Sequence, residues 1–112
     1  MDGRICRLKK RILENLQHDW TIANLAAEIG LSAPHLQRLF KSQTGISPVA
    51  FIRDLRLERA RELLESEGEY PHINEIGRQV GIFNDSHFTR DFKKKFGLAP
   101  REYRKHHWRK IY

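Results

Sequence analysis

Hydrophobic residues recur three and four positions apart along most of this chain, as they do on one face of an α-helix. Proline, glycine and capping residues divide the pattern into segments. The pattern predicts an all-α protein of seven helices and no strands, in which two helix-turn-helix subdomains are joined by one long linker helix. The predicted boundaries are residues 1–47 for the first subdomain, 48–67 for the linker helix and 68–112 for the second, with a turn over residues 68–71.

Two of the predicted helices, the first helix and the linker helix, are not part of a helix-turn-helix. Residues 2–18 show the pattern of an amphipathic helix, with hydrophobic residues on one face and Lys and Arg on the others. The linker helix is predicted over residues 49–66. Ser47 is suited to be its N-cap and Pro48 to be its first residue, where the missing N–H of proline does no harm.

Residues 25–41 have the pattern of two short helices separated by a sharp turn. Ala26 is small enough to let the helices cross closely, and Gly30 can adopt the positive φ that a tight helix end requires. Ser32 follows at the position of an N-cap for the second helix. These features are typical of a helix-turn-helix, whose second helix can present its exposed side to a DNA major groove.

The helix-turn-helix pattern occurs twice in the chain. Residues 73–81 repeat residues 22–30, and residues 87–93 repeat residues 35–41, with one extra residue in the turn of the second copy. A change of length is tolerated most easily in such a turn. The internal duplication therefore predicts a second unit of the same construction.

Composition narrows the class of partner. The chain has 112 residues, enough for a single domain with a modest core. Its 21 Lys and Arg against 14 Asp and Glu give a net charge of +7. This charge favours a polyanionic partner, nucleic acid first and an anionic membrane second, with a solvated basic surface as the alternative.

Two further features of the sequence indicate where in the cell the protein is located. No apolar run approaches the ~20 residues that span a bilayer, and no secretory signal follows Met1. Cys6, the one cysteine, has no partner for an intramolecular disulfide. We therefore expect a cytoplasmic, nucleoid-associated protein with no membrane partner.

The sequence lacks the motifs of catalysis and metal binding. It contains no Gly-rich phosphate loop, no His-Glu-x-x-His and no Cys-x-x-Cys. The adjacent His106 and His107 point in different directions on a helix, and His35 and His87 occupy equivalent positions of the repeat. We therefore expect neither an enzyme nor a metal site or cofactor.

The exposed sides of the two recognition helices carry side chains suited to reading bases. Arg can form two matched hydrogen bonds with guanine, and Gln can do so with adenine. Gln37 and Arg38 are the candidates in the first copy, and His87 and Arg90 are those in the second. A solvated helix surface is the alternative for each. Arg38 and Arg90 occupy the same position in both copies, which favours a shared role.

Contacts with DNA phosphates are expected from helix starts and from flanking basic residues. The candidates are Thr21, Ser32, Lys41, Lys93, Lys94, Lys95, Arg101 and Arg104. Asp85 would repel a phosphate. Either Asn84 or Asp85 is therefore expected to act as the N-cap of the second recognition helix.

The most diagnostic stretch of the sequence lies between residues 81 and 104. Its characteristic positions are Gly81, Phe88, Arg90, Phe92, Lys93, Lys94, Gly97, Pro100, Tyr103 and Arg104. On these residues the chain closely resembles the C-terminal DNA-binding domain of the AraC/XylS family of bacterial transcription regulators. The resemblance covers residues 8–104. Ile82 departs from the usual Phe, and Ala99 departs from the usual Ser or Thr, which is expected to loosen the helix cap there.

This resemblance implies a domain that controls transcription by placing two recognition helices in successive major grooves on one face of DNA. The base-contacting positions that it implies are Pro34, Gln37, Arg38, Ser86, His87 and Arg90. Family members usually carry a separate sensing or dimerisation domain. The chain is therefore expected to be the C-terminal part of a larger regulator or a stand-alone small activator, with RNA polymerase as a further partner.

Two other classes of function are weighed against DNA binding. A helical protein-interaction module would need an exposed apolar patch of several hundred Å². Binding to a membrane surface through the first helix would need an apolar face rich in Trp and Phe. The hydrophobic pattern indicates neither feature, because each predicted helix has a single apolar face that the core would bury.

Overall fold

The computed structural model describes residues 2–66 and 72–111. All the regular structure in these residues is helical, and it confirms the predicted all-α class and the seven helices. The helices are α1 (Gly3–Glu14), α2 (Ile22–Glu28), α3 (Ala33–Thr44), α4 (Pro48–Glu65), α5 (Ile73–Gln79), α6 (Asp85–Phe96) and α7 (Pro100–Ile111). The turn predicted over residues 68–71 lies outside the described residues.

Helix α1 is shorter than the sequence predicts. The hydrophobic pattern predicts a helix that extends to residue 18, but α1 ends at Glu14, with Asn15 as its C-cap. Leu16 and Trp20 keep the hydrophobic spacing beyond that point, because they pack against the core from the irregular segment that follows. The indole N–H of Trp20 donates to the carbonyl of Asn15 at 2.9 Å, which holds this segment against the helix end.

The chain divides into two compact units, one up to Leu55 and the other from Arg56. The core of the first unit is formed by Ile5, Leu8, Ile12, Leu25, Ala26, Leu36, Phe40 and Ile52. Three turns of α1 supply the first three of these residues, and the helix-turn-helix supplies the next four. At about 1.5–3 kcal/mol for each large side chain removed from water, this core fixes α3 against α1 and α2.

The second unit has its own core, built in the same way. Its buried residues are Leu57, Ala60, Leu64, Ile76, Val80, Phe88 and Phe92. Gly77 stands where the first unit has Ala26, because a Cβ atom at this position would lie 2.9 Å from Cδ2 of Phe88. The larger aromatic side chain of α6 therefore requires the smaller residue on α5.

Helix α4 supplies residues to both cores. Ile52 belongs to the first, whereas Leu57, Ala60 and Leu64 belong to the second. The hydroxyl of Ser47 accepts the N–H of Ala50 at 3.2 Å, as expected for the N-cap of this helix. The division of the chain into residues 1–47, 48–67 and 68–112 stays a prediction.

Candidate nucleic-acid interface

Helix α3 is fixed in place by its two ends and by its buried face. The hydroxyl of Ser32 accepts the N–H of His35 at 3.3 Å, and Gly45 ends the helix with a φ of 85°. Leu36 and Phe40 are fully buried one turn apart. The opposite side of the helix therefore faces solvent, where the predicted residues Pro34, Gln37, Arg38 and Lys41 are all exposed.

Helix α6 repeats this construction in the second unit. The side-chain oxygen of Asn84 accepts the N–H of His87 at 2.9 Å, and Gly97 ends the helix with a φ of 86°. Phe88 and Phe92 are fully buried. The predicted base-contacting residues of this unit, Ser86, His87 and Arg90, are all exposed.

The structure settles which residue caps α6. Asn84 is the N-cap, and Asp85 occupies the first helical position. One carboxylate oxygen of Asp85 lies 3.7 Å from Nη2 of Arg78 on α5. The negative charge that would repel a phosphate at this end of α6 is therefore partly balanced by an arginine of the neighbouring helix.

Arg90 is exposed but has a neighbour of opposite charge. Its Nε donates to Oδ1 of Asp91 at 3.2 Å, while 67% of its side chain remains exposed. A guanidinium has five N–H donors, and this contact uses one of them. The two terminal nitrogens of Arg90 can therefore still donate the two parallel hydrogen bonds that O6 and N7 of a guanine accept.

The residues predicted to contact phosphates fall into two groups. The hydroxyls of Thr21 and Ser32 are engaged as helix caps, and Thr21 forms a capping box with Asn24. A hydroxyl that accepts one hydrogen bond still has its own proton to donate to a phosphate. Lys41, Lys93, Lys94 and Arg101 are exposed, and Arg104 is half-buried on α7.

Lys95 differs from its two neighbours on α6. Its Nζ lies 3.9 Å from Oε1 of Glu58 and 5.7 Å from the ring centre of Phe96. These contacts draw the side chain toward the core of its own unit. Among the predicted phosphate contacts of α6, Lys93 and Lys94 therefore have the more open surroundings.

Sequence reasoning did not identify the charged partners of the interface, Arg78 and Asp91. It also missed Thr89, which is exposed on α6 three residues after Ser86. Residues three apart share a face of a helix, so this spacing would have indicated Thr89. The partners of charged groups, in contrast, depend on how the helices pack.

Within residues 2–66 and 72–111, no group of three or more His, Cys, Asp or Glu side chains is placed to hold a metal ion. The helices described there also include none with the length and apolar character needed to cross a bilayer.

Each unit thus presents a capped helix whose outer face carries an arginine and other polar side chains, across a glycine turn from a shorter helix. Two such units define a double helix-turn-helix domain. A family model described as a helix-turn-helix domain matches residues 25–106. The chain belongs to the AraC/XylS family of transcription regulators.

Individual relatives agree with this assignment. The chain is 32% identical to the HTH-type transcriptional regulator MtrA of Neisseria gonorrhoeae over 104 residues, which are 93% of this chain and 34% of MtrA. The chain thus spans about a third of the length of the curated relatives that it matches.

Solved structures share the fold. A transcriptional regulator of Chromobacterium violaceum, described as an AraC-type DNA-binding domain-containing protein, superposes with a TM-score of 0.82 at 29% identity, covering 93% of this chain and 91% of that one. The DNA-binding domain of AdpA, solved in complex with a target DNA, gives a TM-score of 0.85 at 24% identity, covering 93% and 92%. The second likeness concerns the fold alone.

Proposed function

We propose that this chain binds double-stranded DNA sequence-specifically and serves the control of transcription. The observation that carries the proposal is the matched construction of α3 and α6. Each helix is capped at its start, locked by two buried side chains and ended by a glycine, and each exposes an arginine at the equivalent position, Arg38 or Arg90. The net charge of +7 supplies the attraction to phosphates that such binding needs.

In this proposal α3 and α6 enter successive major grooves. Pro34, Gln37 and Arg38 face bases from the first helix, and Ser86, His87 and Arg90 do so from the second. Pro34 offers no donor, so its contact would be apolar, as with a thymine methyl group. The phosphate contacts come from Thr21, Ser32, Lys41, Lys93, Lys94, Arg101 and Arg104, and Lys95, which already lies against Glu58, contributes less to them.

The wider assignments also belong to the proposal. Because the chain spans about a third of its curated relatives, a sensing or dimerisation domain is expected elsewhere in the complete regulator. The role is binding rather than catalysis, it takes place in the cytoplasm, and RNA polymerase is the further protein partner.

Selection of bound duplexes from a random DNA pool tests the proposal directly. We expect a recovered motif with two half-sites about 10 base pairs apart, one for each recognition helix. On such a duplex, the plot of log K against log salt concentration should be steeper than about −4, because several phosphates are neutralised. Recovery of no motif, together with weak and salt-independent binding, would contradict it.

A further inference from the structure

Arg90 and Asp91 are neighbours on α6, and their side chains form an ion pair at the surface of the second unit. Nε of Arg90 lies 3.2 Å from Oδ1 of Asp91. The arginine side chain is 67% exposed, whereas the shorter aspartate side chain is only 24% exposed. Adjacent residues point about 100° apart around a helix, so Arg90 reaches Asp91 by bending across the helix surface. The contact therefore restricts the positions that the guanidinium can take.

The contact also determines which edge of the guanidinium is available. A guanidinium is planar and can donate two parallel hydrogen bonds from an edge that includes Nε or from the edge formed by its two terminal nitrogens. Asp91 accepts the hydrogen of Nε. The edge formed by the terminal nitrogens then remains for the two acceptors of a guanine, O6 and N7. The donors of Arg90 are thus arranged for a guanine before DNA binds.

The carboxylate further changes the kind of acceptor that Arg90 favours. An arginine with its full positive charge is attracted to any phosphate of the DNA backbone. The negative charge of Asp91 opposes this attraction, but it leaves the terminal N–H groups to donate to a neutral base edge. The pair should therefore weaken complexes with non-matching DNA more than the complex with matching DNA.

The first unit provides a comparison within the same chain. Arg38 has the position on α3 that Arg90 has on α6, but the residue after it is Leu39, which packs against the core of its own unit. Within residues 2–66 and 72–111, Arg38 has no carboxylate partner. The two recognition helices thus share an arginine and differ in whether a carboxylate holds it.

We infer that Asp91 is a positioning residue, which sets Arg90 to read a guanine and makes the second unit more selective for its base than the first. Asp91 acts through the arginine and does not contact the base itself. The inference rests on the proposed function and deepens it, because it assigns a base to α6 and separates the roles of Arg38 and Arg90.

The first test measures base preference on the duplex recovered by selection. The base that Arg90 reads is the one whose preference Arg90→Ala removes, and it should be a guanine. Asp91→Asn keeps the size of the side chain and removes its charge. It should reduce the preference for that guanine about 3- to 10-fold, as expected for a weak surface pair that becomes stronger where DNA excludes water. Binding to duplexes with another base at this position should not weaken.

Two controls separate positioning from other effects of the substitution. Glu75→Gln removes the same charge from an exposed position on α5, so it should leave the base preference unchanged. In an Arg90→Ala background, Asp91→Asn should have no further effect on affinity for the selected duplex beyond that of Glu75→Gln. A loss that persists in that background would overturn the inference, because Asp91 would then contact DNA itself or support the fold.

The second test needs no DNA. Exchange rates of the Nε–H protons, measured by NMR, compare Arg90 with Arg38 in the same sample. The proton of Arg90 should exchange more slowly, and Asp91→Asn should bring its rate close to that of Arg38. Equal rates for the two arginines in the unaltered chain would overturn the inference, even if the variant failed to fold.

The remaining outcomes distinguish this inference from the proposed function. If selection recovers no motif, both are contradicted. If it recovers a motif in which Arg90 reads a base other than guanine, the positioning role is overturned and the proposed function stands. The same holds if Asp91→Asn keeps the base preference of the unaltered chain.

Discussion

Tyr103 donates its phenolic hydrogen to Oε1 of Glu65 over 2.6 Å, and so ties α7 to the end of α4. Nη1 of Arg61 contacts both oxygens of the same carboxylate, at 2.8 and 2.9 Å. The hydroxyl also lies at the edge of an aromatic cluster, since the ring of Tyr103 packs edge-on against Phe92. This network fixes the helix that carries Arg101 and Arg104.

Replacing Tyr103 by Phe should therefore destabilise the second unit. The change removes the hydroxyl and keeps the ring, so the loss should be about 1–2 kcal/mol, toward the lower end of the range for a hydrogen bond to a charged group because the site is only partly buried. Denaturant unfolding measures it. In a Glu65→Gln background the same substitution should cost less, because the charged acceptor is already gone. Equal costs in both backgrounds would show that the charge of the acceptor contributes nothing to this hydrogen bond.

The same network predicts how stability depends on pH. The hydrogen bond from Tyr103 and the nearby Arg61 hold the pKa of Glu65 below its ordinary value of 4.5. The folded protein then binds fewer protons at this site than the unfolded chain. The ionised Glu65 carboxylate therefore makes its full contribution to the free energy of unfolding above about pH 4.5. This contribution is lost as the pH falls through the lowered pKa of the folded state. Burial and the hydrogen bond to Glu65 raise the pKa of Tyr103. The protonated hydroxyl therefore stabilises the fold fully up to about pH 10, and this stabilisation is lost as the pH rises through the raised pKa of the folded state.

Thermal unfolding between pH 7 and pH 3 tests the predicted loss of stability in acid. The Glu65→Gln variant should lose less of its stability over this range than the unaltered chain, because it has no carboxylate to protonate at this position. Parallel curves for the two proteins would indicate that other carboxylates determine the acid limit.

Gly77 gives a second prediction about stability. A methyl group there would meet Cδ2 of Phe88 at 2.9 Å and the carbonyl oxygen of Ile82 at 3.1 Å. Gly77→Ala should therefore cost about 1–3 kcal/mol through overpacking between α5 and α6. Gly3→Ala is the control, because a Cβ there meets nothing within 4 Å. A neutral effect of Gly77→Ala on urea unfolding would mean that the two helices separate without cost.

Features that depend on neighbouring residues were predicted well from the sequence. Ser32 and Ser47 cap their helices as expected, since capping is a contact between residues three apart. The exposure of Arg38 and Arg90 followed from the spacing of the buried residues beside them. The bond between Tyr103 and Glu65, in contrast, joins residues far apart in the chain, and only the packing of α7 brings them together. The end of α1 was missed because Leu16 keeps a helical spacing outside the helix.

Arg38→Ala and Arg90→Ala should each reduce DNA affinity by about 1–3 kcal/mol and relax the base preference at one position of the selected motif. Selection repeated with each variant measures the preference, and titration measures the affinity. Arg53→Ala, an exposed arginine of α4 outside the proposed interface, serves as the control. Equal losses on every sequence would assign both arginines to phosphates instead of bases.

Lys94 and Lys95 are neighbours in sequence, but they should differ in their effect on binding. Lys95 already lies against Glu58 and the ring of Phe96, whereas Lys94 is exposed on the outer part of α6. Lys94→Gln should therefore reduce the magnitude of the salt slope by about 1, as expected for the loss of one phosphate contact. Lys95→Gln should change it by less than about half of that. It should instead lower the unfolding free energy by at most about 0.5 kcal/mol, because a 3.9 Å pair at the surface contributes little. Equal reductions of the salt slope by the two variants would show that Lys95 leaves Glu58 when DNA binds.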